Sequence, residues 1–290
     1  MLYICIPAHD EAQTIGVLLW KIRKVFQEYS REYEILVYND ASTDATAETL
    51  ESYRKVLPLT VLGSEQRVGY AGALTALCRD ATQRTRYARR DAVITLQGDF
   101  TDQPEHIPEL IKRFEGGADV VVGESSDATL GPKAVRRLRR FAPWTLRWSV
   151  KTPGVKDPFG SLRLYRVSVL RDALRAAGEA PLIAADGWAA NVDLLLNTLP
   201  HARRVETVTM EPRYDLRPRD TRVKPLADAM KLYRFGRIAR RRPARASAAR
   251  DGRELRDARE PRDAREPRDA REPRDARESR AHAAPTPPTT

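Results

Sequence analysis

Short apolar segments alternate with longer amphipathic segments along the first 125 residues. Five short segments rich in Val, Ile and Leu predict buried strands, at 2–6, 34–38, 59–62, 92–96 and 119–123. Segments with a helical spacing of apolar residues lie among them, at about 14–29, 45–55 and 71–80. This alternation is typical of an α/β domain whose mostly parallel, Rossmann-like sheet is flanked by helices.

The pattern becomes less regular after Gly123. Helices are predicted near 167–176, 187–196 and 227–238, and a strand at 205–210. The segment 133–148 interleaves basic residues with aliphatic and aromatic ones. It fits an interfacial surface for a lipid phosphate, and equally an ordinary amphipathic helix packed on the core with solvated charges.

The chain from Arg237 onward is almost entirely Arg, Ala, Asp, Glu and Pro. Its repeat, Arg-Asp-Ala-Arg-Glu-Pro, begins at Arg256, Arg262, Arg268 and Arg274. The first three copies end in a proline, which interrupts a helix, and the last copy ends in Ser279; few apolar side chains remain to offset the entropy of ordering the chain. We therefore predict a folded domain over 1–236 and a disordered tail over 237–290.

The tail also carries much of the charge. It holds 16 Arg and 10 Asp or Glu, so it contributes +6 of the formal net charge of +11. A basic protein can bind nucleic acid, an anionic membrane surface or phosphorylated substrates. Because acidic residues are interleaved with the arginines, the tail attracts phosphates weakly, and we expect no specific nucleic-acid partner.

Targeting signals and cysteines narrow the class of protein further. Cys5 and Cys78 lack metal-type spacing and are predicted to be reduced core thiols. The sequence shows neither a signal-peptide pattern nor a run of about 18 apolar residues. These features favour a cytoplasmic protein that at most rests on the inner face of a membrane.

Two carboxylates stand directly after predicted strands, where ligands of such sheets bind. Asp40 follows the second strand and can accept hydrogen bonds from a base or a ribose, or its segment can turn the chain and cap the next helix. Asp99 follows the fourth strand beside Gly98, which allows close approach. A carboxylate there suits Mg²⁺ or Mn²⁺ bound to a diphosphate, although a strand-end turn explains it as well.

Five segments in order resemble the family-2 glycosyltransferases, which have the GT-A fold. Pro7-Ala8-His9-Asp10-Glu11 is similar to the opening Pro-x-aromatic-Asn-Glu, and residues 39–44 are similar to Asn-Asp-Gly-Ser-x-Asp. Residues 69–73 resemble the Gly-rich helix start, and residues 97–105 stand where Asp-x-Asp and Pro-Glu belong. Residues 157–166 resemble the acceptor-side segment of dolichyl-phosphate mannosyltransferases.

The resemblance implies a nucleotide-sugar donor site and a divalent cation. The residues implied for the donor are Pro7, His9, Glu11, Asp40, Gln97, Gly98 and Asp99. Asp99, with Thr101 nearby, would hold Mg²⁺ or Mn²⁺ and the diphosphate. Several positions depart from the family pattern: Gln97 replaces the first Asp of the metal motif, His9 and Asp10 replace an aromatic residue and Asn, and Ser125 stands where relatives often carry a phosphate-binding Arg.

The acceptor side is implied by arginines, whose planar forks suit phosphates. The expected phosphate ligands are Arg136, Arg137, Arg140, Arg163, Arg217, Arg219 and Arg222, each of which is equally compatible with a solvated surface charge. Asp157 is a candidate base for a hydroxyl acceptor, or it simply begins a turn before Pro158. With Asp99 and Arg163, it completes the predicted catalytic set.

These features predict an inverting transferase that moves a hexose, with mannose as one candidate, from a nucleotide diphosphate to a polyprenyl (dolichyl-type) phosphate at a membrane surface. A lipid phosphate is already ionised near neutral pH, so positioning and electrostatics would dominate catalysis. Alternatives are a transferase with a saccharide or small hydroxyl acceptor and a non-catalytic nucleotide-sugar-binding protein. A nucleic-acid binder is supported by charge alone.

Overall fold

The structure, a computed structural model, describes residues 1–125, 132–146, 152–211 and 225–241. Its strands are β1 (Leu2–Ala8), β2 (Tyr33–Asp40), β3 (Leu59–Ser64), β4 (Ala92–Thr95), β5 (Val120–Ser125), β6 (Arg163–Arg166) and β7 (Val205–Met210). Its helices are α1 (Ile15–Glu28), α2 (Thr46–Arg54), α3 (Gly69–Arg84), α4 (Ile107–Glu115), α5 (Lys133–Leu146), α6 (Val167–Ala177), α7 (Trp188–Thr198) and α8 (Pro225–Arg241).

The seven strands form one sheet in the order β3-β2-β1-β4-β6-β5-β7. All pairs are parallel except those of β6, which runs antiparallel to both β4 and β5. The predicted mostly parallel sheet flanked by helices is confirmed. β6 was not predicted, because its four residues include two arginines and carry no strand-like alternation.

The sheet is buried on both faces, which explains why its strands are nearly continuous apolar runs. Alternate residues of β1 enter different clusters: Ile4 and Ile6 pack on the face with α1 and α4, whereas Tyr3 and Cys5 pack on the face with α3 and α6. Cys78 of α3 lies in the second cluster. Both cysteines are free and buried, as predicted, and burial raises the pKa of Cys78 to about 12.

A third, smaller cluster joins three helices beside the sheet. Leu138 of α5, Val192 of α7, and Leu232 and Phe235 of α8 pack together with Phe159 from the loop before β6. α8 continues to Arg241, past the domain boundary predicted at residue 236. Within the described ranges, no helix is both long and apolar enough to cross a membrane.

Candidate active site

A cavity of about 410 Å³ opens at the carboxyl ends of the central strands. Glu11 after β1, Asp40 at the end of β2 and Asp99 after β4 all line it. The lining residues that the sequence analysis assigns to the donor and its cation are Pro7, His9, Glu11, Asp40, Gln97, Gly98, Asp99 and Thr101. The fold therefore brings every predicted donor residue, from three separate loops, to one concave surface.

The loops after β1 and β2 are joined by hydrogen bonds. The His9 ring nitrogen Nδ1 lies 2.8 Å from the Asp40 carbonyl oxygen, and the backbone N–H of Thr43 donates to Asp10 Oδ1 over 2.8 Å. The Asp10 backbone N–H donates to the Ser42 hydroxyl. The hydrogen bond from Thr43 lowers the pKa of Asp10, so this carboxylate stays ionised and holds the two loops together.

Asp44 makes a second connection between these loops. It accepts hydrogen bonds from the backbone N–H of Ala12 and of Thr46, each over 3.0 Å. Partial burial disfavours its charged form, yet the hydrogen bonds from Thr46 and Ala12 outweigh burial and lower the pKa of Asp44. Asp44 thus orders the start of α2, as the capping interpretation of this segment predicted.

Asp40 is only 3% exposed and binds the start of α3. Its two carboxylate oxygens accept the backbone N–H groups of Val68, over 2.7 Å, and of Gly69, over 3.0 Å. Gly69 has a φ of +76°, in the region that favours glycine. The Arg67 guanidinium lies 3.7 Å from the same carboxylate. Asp40 therefore fixes the Gly-rich loop at the cavity while it also lines that cavity.

The loop after β4 is held by two buried carboxylates. Asp99 Oδ1 accepts the Thr101 backbone N–H over 3.1 Å. Asp102 Oδ2 accepts the Gln97 backbone N–H over 3.0 Å and the Ser161 hydroxyl over 2.6 Å. Asp102 therefore ties this loop to the segment that leads into β6.

Gly98 allows the β4 loop to approach the β1 loop closely. A Cβ atom at this position would lie 3.3 Å from the Pro7 carbonyl oxygen and 3.4 Å from Glu11 Cγ, so a side chain would push the two loops apart. The neighbouring backbone is also unusual. Asp10, Ala41 and Phe100, one in each of the three donor-side loops, have positive φ values of 53°, 50° and 67°. Such conformations in non-glycine residues concentrate at functional sites.

The donor atoms at the β4 loop fit a divalent cation that the substrate completes. Within the described residues, no three His, Cys, Asp or Glu side chains are grouped to hold a metal ion by themselves. Asp99 and the amide of Gln97 supply oxygen atoms on the cavity wall, and the Thr101 hydroxyl is buried there without a hydrogen-bond partner among the described residues. Mg²⁺ characteristically uses one or two carboxylates together with substrate phosphates.

Arg163 lies elsewhere than expected. It is 1% exposed and is not one of the described residues that line the cavity. Its guanidinium donates to the Tyr165 hydroxyl over 3.1 Å, to the Asn191 carbonyl over 2.5 Å and to the Pro158 carbonyl. The predicted phosphate contact of Arg163 is not seen among the described residues, because its guanidinium donates to two protein carbonyls and a hydroxyl instead of lining the cavity.

The other acceptor-side predictions have mixed outcomes. Asp157 accepts the backbone N–H of Phe159 over 3.1 Å, which fits the turn alternative, and it is not among the described residues on the cavity wall. The arginines exposed on α5, none of which lines the cavity within the described residues, are Arg136, Arg137 and Arg140. The arginines that lie outside the described residues are Arg217, Arg219 and Arg222.

Sequence reasoning missed the opposite wall of the cavity, which comes from α3, α7 and α8. Tyr70 donates its hydroxyl to Asn191 Oδ1 over 2.9 Å, and burial raises the pKa of Tyr70, so it remains a donor. Asp186, Trp188 and Lys231 complete this wall. Tyr70 belongs to the segment 69–73, which resembles a family motif. Asp186, Trp188 and Lys231 belong to no motif, and only the packing of the folded chain shows that they line the cavity.

Comparison with known proteins identifies the chain. The sequence pattern of the family described as "Glycosyl transferase family 2" matches residues 3–174. The chain belongs to glycosyl transferase family 2. It is 30% identical over 172 residues to the bactoprenol glucosyl transferase of Shigella phage SfV, a match that covers 58% of this chain and 53% of the relative. The SfII prophage-derived bactoprenol glucosyl transferase of Shigella flexneri is equally similar, and this family 2 chain spans about half the length of these curated relatives.

Solved structures support the fold assignment. The chain is similar to glucosyl-3-phosphoglycerate synthase from Mycobacterium tuberculosis in complex with UDP, with a TM-score of 0.56, 16% identity and coverage of 84% of this chain and 81% of the other. The same synthase in complex with Mn²⁺, UDP-glucose and phosphoglyceric acid gives a TM-score of 0.55 at 17% identity, covering 85% and 80%. At this level of identity the likeness concerns the fold alone.

Proposed function

We propose that this family 2 chain transfers a hexose from a nucleoside diphosphate sugar to a polyprenyl phosphate, with inversion at the sugar. The observation that carries the proposal is the convergence of Glu11, Asp40 and Asp99 on one cavity at the strand ends. The names of the bactoprenol glucosyl transferases, to which the chain is similar, support the choice of acceptor.

The donor binds along the loops after β1, β2 and β4 in this proposal. Pro7, His9 and Glu11 surround the base, and the Asp40 segment faces the ribose. Asp99, together with the Gln97 amide and the Thr101 hydroxyl, holds Mg²⁺ or Mn²⁺. These residues would hold the cation where its charge could offset the charge that develops on the leaving diphosphate. The complexes of the synthase with Mn²⁺ and UDP-glucose support this assignment by fold analogy.

The acceptor enters from the wall formed by α7 and α8. A lipid monophosphate is already ionised near neutral pH, so it needs a cation to hold it and little help from a base. Lys231 is exposed, lines the cavity and supplies that cation, whereas Arg163 supports the wall from below. Direct attack of the phosphate oxygen on the anomeric carbon expels the nucleoside diphosphate and inverts the centre.

Glucose is our first choice for the transferred sugar, ahead of mannose. The relatives at 30% identity are named as glucosyl transferases, which favours glucose. The lining residues that face the sugar come from the less regular half of the chain, for example Asn191 and Trp188. A competition between UDP-glucose and GDP-mannose decides between the two.

The proposed activity is tested by incubating radiolabelled UDP-glucose, GDP-mannose and other nucleotide sugars with the full chain, polyprenyl phosphate and Mn²⁺. We expect label to enter the organic phase, and Asp99→Asn to abolish this transfer while Glu51→Gln, an exposed carboxylate on α2, leaves it unchanged. Transfer to no lipid phosphate with any donor would falsify the assignment. Donor binding without turnover would instead indicate a non-catalytic nucleotide-sugar-binding protein.

A hydroxyl acceptor is the second candidate, and Asp186 favours it. This carboxylate is exposed at the cavity wall beside Trp188, where a general base for a sugar or small alcohol belongs. Asp186 replaces Asp157 as the candidate base, since Asp157 is engaged in a turn. Label that remains in water as a larger saccharide, and whose formation is lost in Asp186→Asn, would support this alternative.

A further inference from the structure

Helix α8 presents a row of apolar side chains on its outer face. Leu226, Met230 and Tyr233 are 88%, 54% and 48% exposed. Their spacing of four and three residues places them on one side of the helix. The other side packs inward through Leu232 and Phe235. Isolated exposed apolar residues are ordinary, but a contiguous row on one helix face marks a contact surface.

The charges around this row are nearly all positive. The sequence of α8 contains five Lys or Arg and one Asp, and the sequence of α5, which packs against α8, contains five Lys or Arg and no acidic residue. Arg234 and Arg237 are exposed on α8 itself. An apolar row with flanking arginines is the arrangement of helices that lie in the interface of an anionic bilayer.

The same helix also borders the cavity. Asp228 and Lys231 of α8 line it, as does Val135 of α5. A surface in contact with the outer face of α8 therefore adjoins the wall through which the acceptor enters. The apolar row and the residues that line the cavity therefore lie on different sides of α8, one helix width apart.

We propose that α8 docks on an anionic lipid bilayer, with Leu226, Met230 and Tyr233 inserted among the headgroups and Arg234 and Arg237 paired with lipid phosphates. This inference rests on the proposed function, because it explains how the cavity meets a lipid phosphate in its membrane. A second copy of this chain fits the surface less well, since two such basic faces brought together would repel each other.

Vesicle sedimentation of the full chain tests the docking. We expect binding to vesicles of phosphatidylcholine mixed with phosphatidylglycerol, weakened by salt, and little binding to phosphatidylcholine alone. The double variant Leu226→Glu, Met230→Glu should bind about tenfold more weakly, because it removes apolar insertion and adds repulsion. The matched control is Val17→Glu, Trp20→Glu on α1, whose side chains are 52% and 53% exposed. It should bind like the unchanged protein.

A milder variant keeps the test meaningful if the double variant is unstable. Arg234→Gln should weaken vesicle binding about fivefold. The basic tail is present in every variant, so its contribution cancels. Equal binding by the α8 variants and the α1 control overturns the proposal. So does a lipid-free dimer that the α8 double variant dissociates, because that result makes the face a self-association surface.

The docking and the proposed function fail in different ways. A short-chain, water-soluble prenyl phosphate removes the need for a bilayer, so transfer to it should be the same in the α8 variants and the control. Absence of transfer to any prenyl phosphate, together with vesicle binding that depends on α8, rejects the function and leaves the docking intact. Normal transfer together with vesicle binding that does not change in the α8 variants rejects the docking and leaves the proposed function intact.

Discussion

The two sides of the cavity are built differently. The side that we propose for the donor consists of three strand-end loops held by hydrogen bonds: the loops after β1 and β2 are bonded to each other, and the loop after β4 is bonded to the segment before β6. The side that we propose for the acceptor consists of α8 and of α7 with the residues just before it, where Lys231 and Asp186 are exposed. A rigid, preorganised wall suits a diphosphate with its cation, and an open wall suits an acceptor that arrives from outside. The difference agrees with the proposed function, in which the donor and its cation bind on one side and the acceptor enters from the other.

The largest expected effect lies on the donor side. Asp99→Asn removes the negative ligand of the cation while keeping the shape, so we expect kcat to fall about a thousandfold with little change in stability. Initial rates with labelled donor measure this loss, and thermal unfolding without ligand checks the fold. Activity within tenfold of the unchanged protein would show that Asp99 holds no catalytic cation.

Arg163→Met probes the support beneath the acceptor wall. The substitution leaves the Pro158 and Asn191 carbonyls without their buried donor, so we expect the free energy of unfolding to drop by about 2–4 kcal/mol. Urea unfolding gives the value, with Arg175→Met on the exposed side of α6 as a neutral control. A stable but inactive Arg163→Met would contradict the structural role and restore Arg163 as a substrate ligand.

Lys231→Gln separates the two sides kinetically. If Lys231 holds the acceptor phosphate, the KM for a water-soluble prenyl phosphate should rise about tenfold, whereas the KM for the nucleotide sugar should stay the same. Lys133→Gln, an exposed lysine of α5 that does not line the cavity within the described residues, serves as the matched control. An equal rise in both KM values would remove the distinction between the two walls.

Ala41→Gly tests backbone strain in the donor loops. Ala41 has a φ of +50° where the family pattern has glycine. Glycine relieves that strain, but it also increases the entropy of the unfolded chain, which opposes part of the gain. The net effect should stabilise the protein by roughly 0.5–1 kcal/mol, or about 1–3 °C in Tm. Ala76→Gly, in the middle of α3, should destabilise it instead. A lower Tm for Ala41→Gly would mean that its conformation carries no strain.

Acid should loosen the donor loops. The pKa of Asp10 is lowered in the fold, chiefly by the hydrogen bond from Thr43, so its contribution to stability is present above its ordinary pKa of 3.8 and is lost as the pH falls through the lower, folded value. The Tm of the unchanged protein should therefore fall more steeply below pH 4 than that of Asp10→Asn. If the Tm values of the two proteins fell in parallel as the pH is lowered, protonation of Asp10 would not contribute to the loss of stability in acid.

Much of the donor side was predictable because its signals are local. Pro7–Glu11, Asn39–Asp44 and Gln97–Glu105 each follow an apolar strand directly, and parallel strands end at a common edge, so their convergence follows from topology. The predicted strands β1 and β2 were too short at the carboxyl end by two residues each. Their last residues are polar or small, and the strands are extended by the pairing of β1 with β2 and of β2 with β3.

The wall that we propose for the acceptor was less visible in the sequence, because its signals are not local. Arg163 looked like a phosphate ligand in the chain, but the antiparallel insertion of β6 between β4 and β5 buries it. Lys231 and Asp186 reach the cavity only because α7 and α8 pack together through Val192, Leu232 and their neighbours. No spacing rule relates such residues, since they are brought together by contacts between distant segments.

The sequence by itself determined the α/β class, the family and the three loops of the donor site, because hydrophobic period and strand-end motifs act over a few residues. Tertiary structure decided that Asp40 also caps α3, that Arg163 supports the cavity rather than facing it, and that α8 carries an apolar row beside the site. These outcomes depend on which surfaces are buried against each other, and burial is a property of the assembled fold.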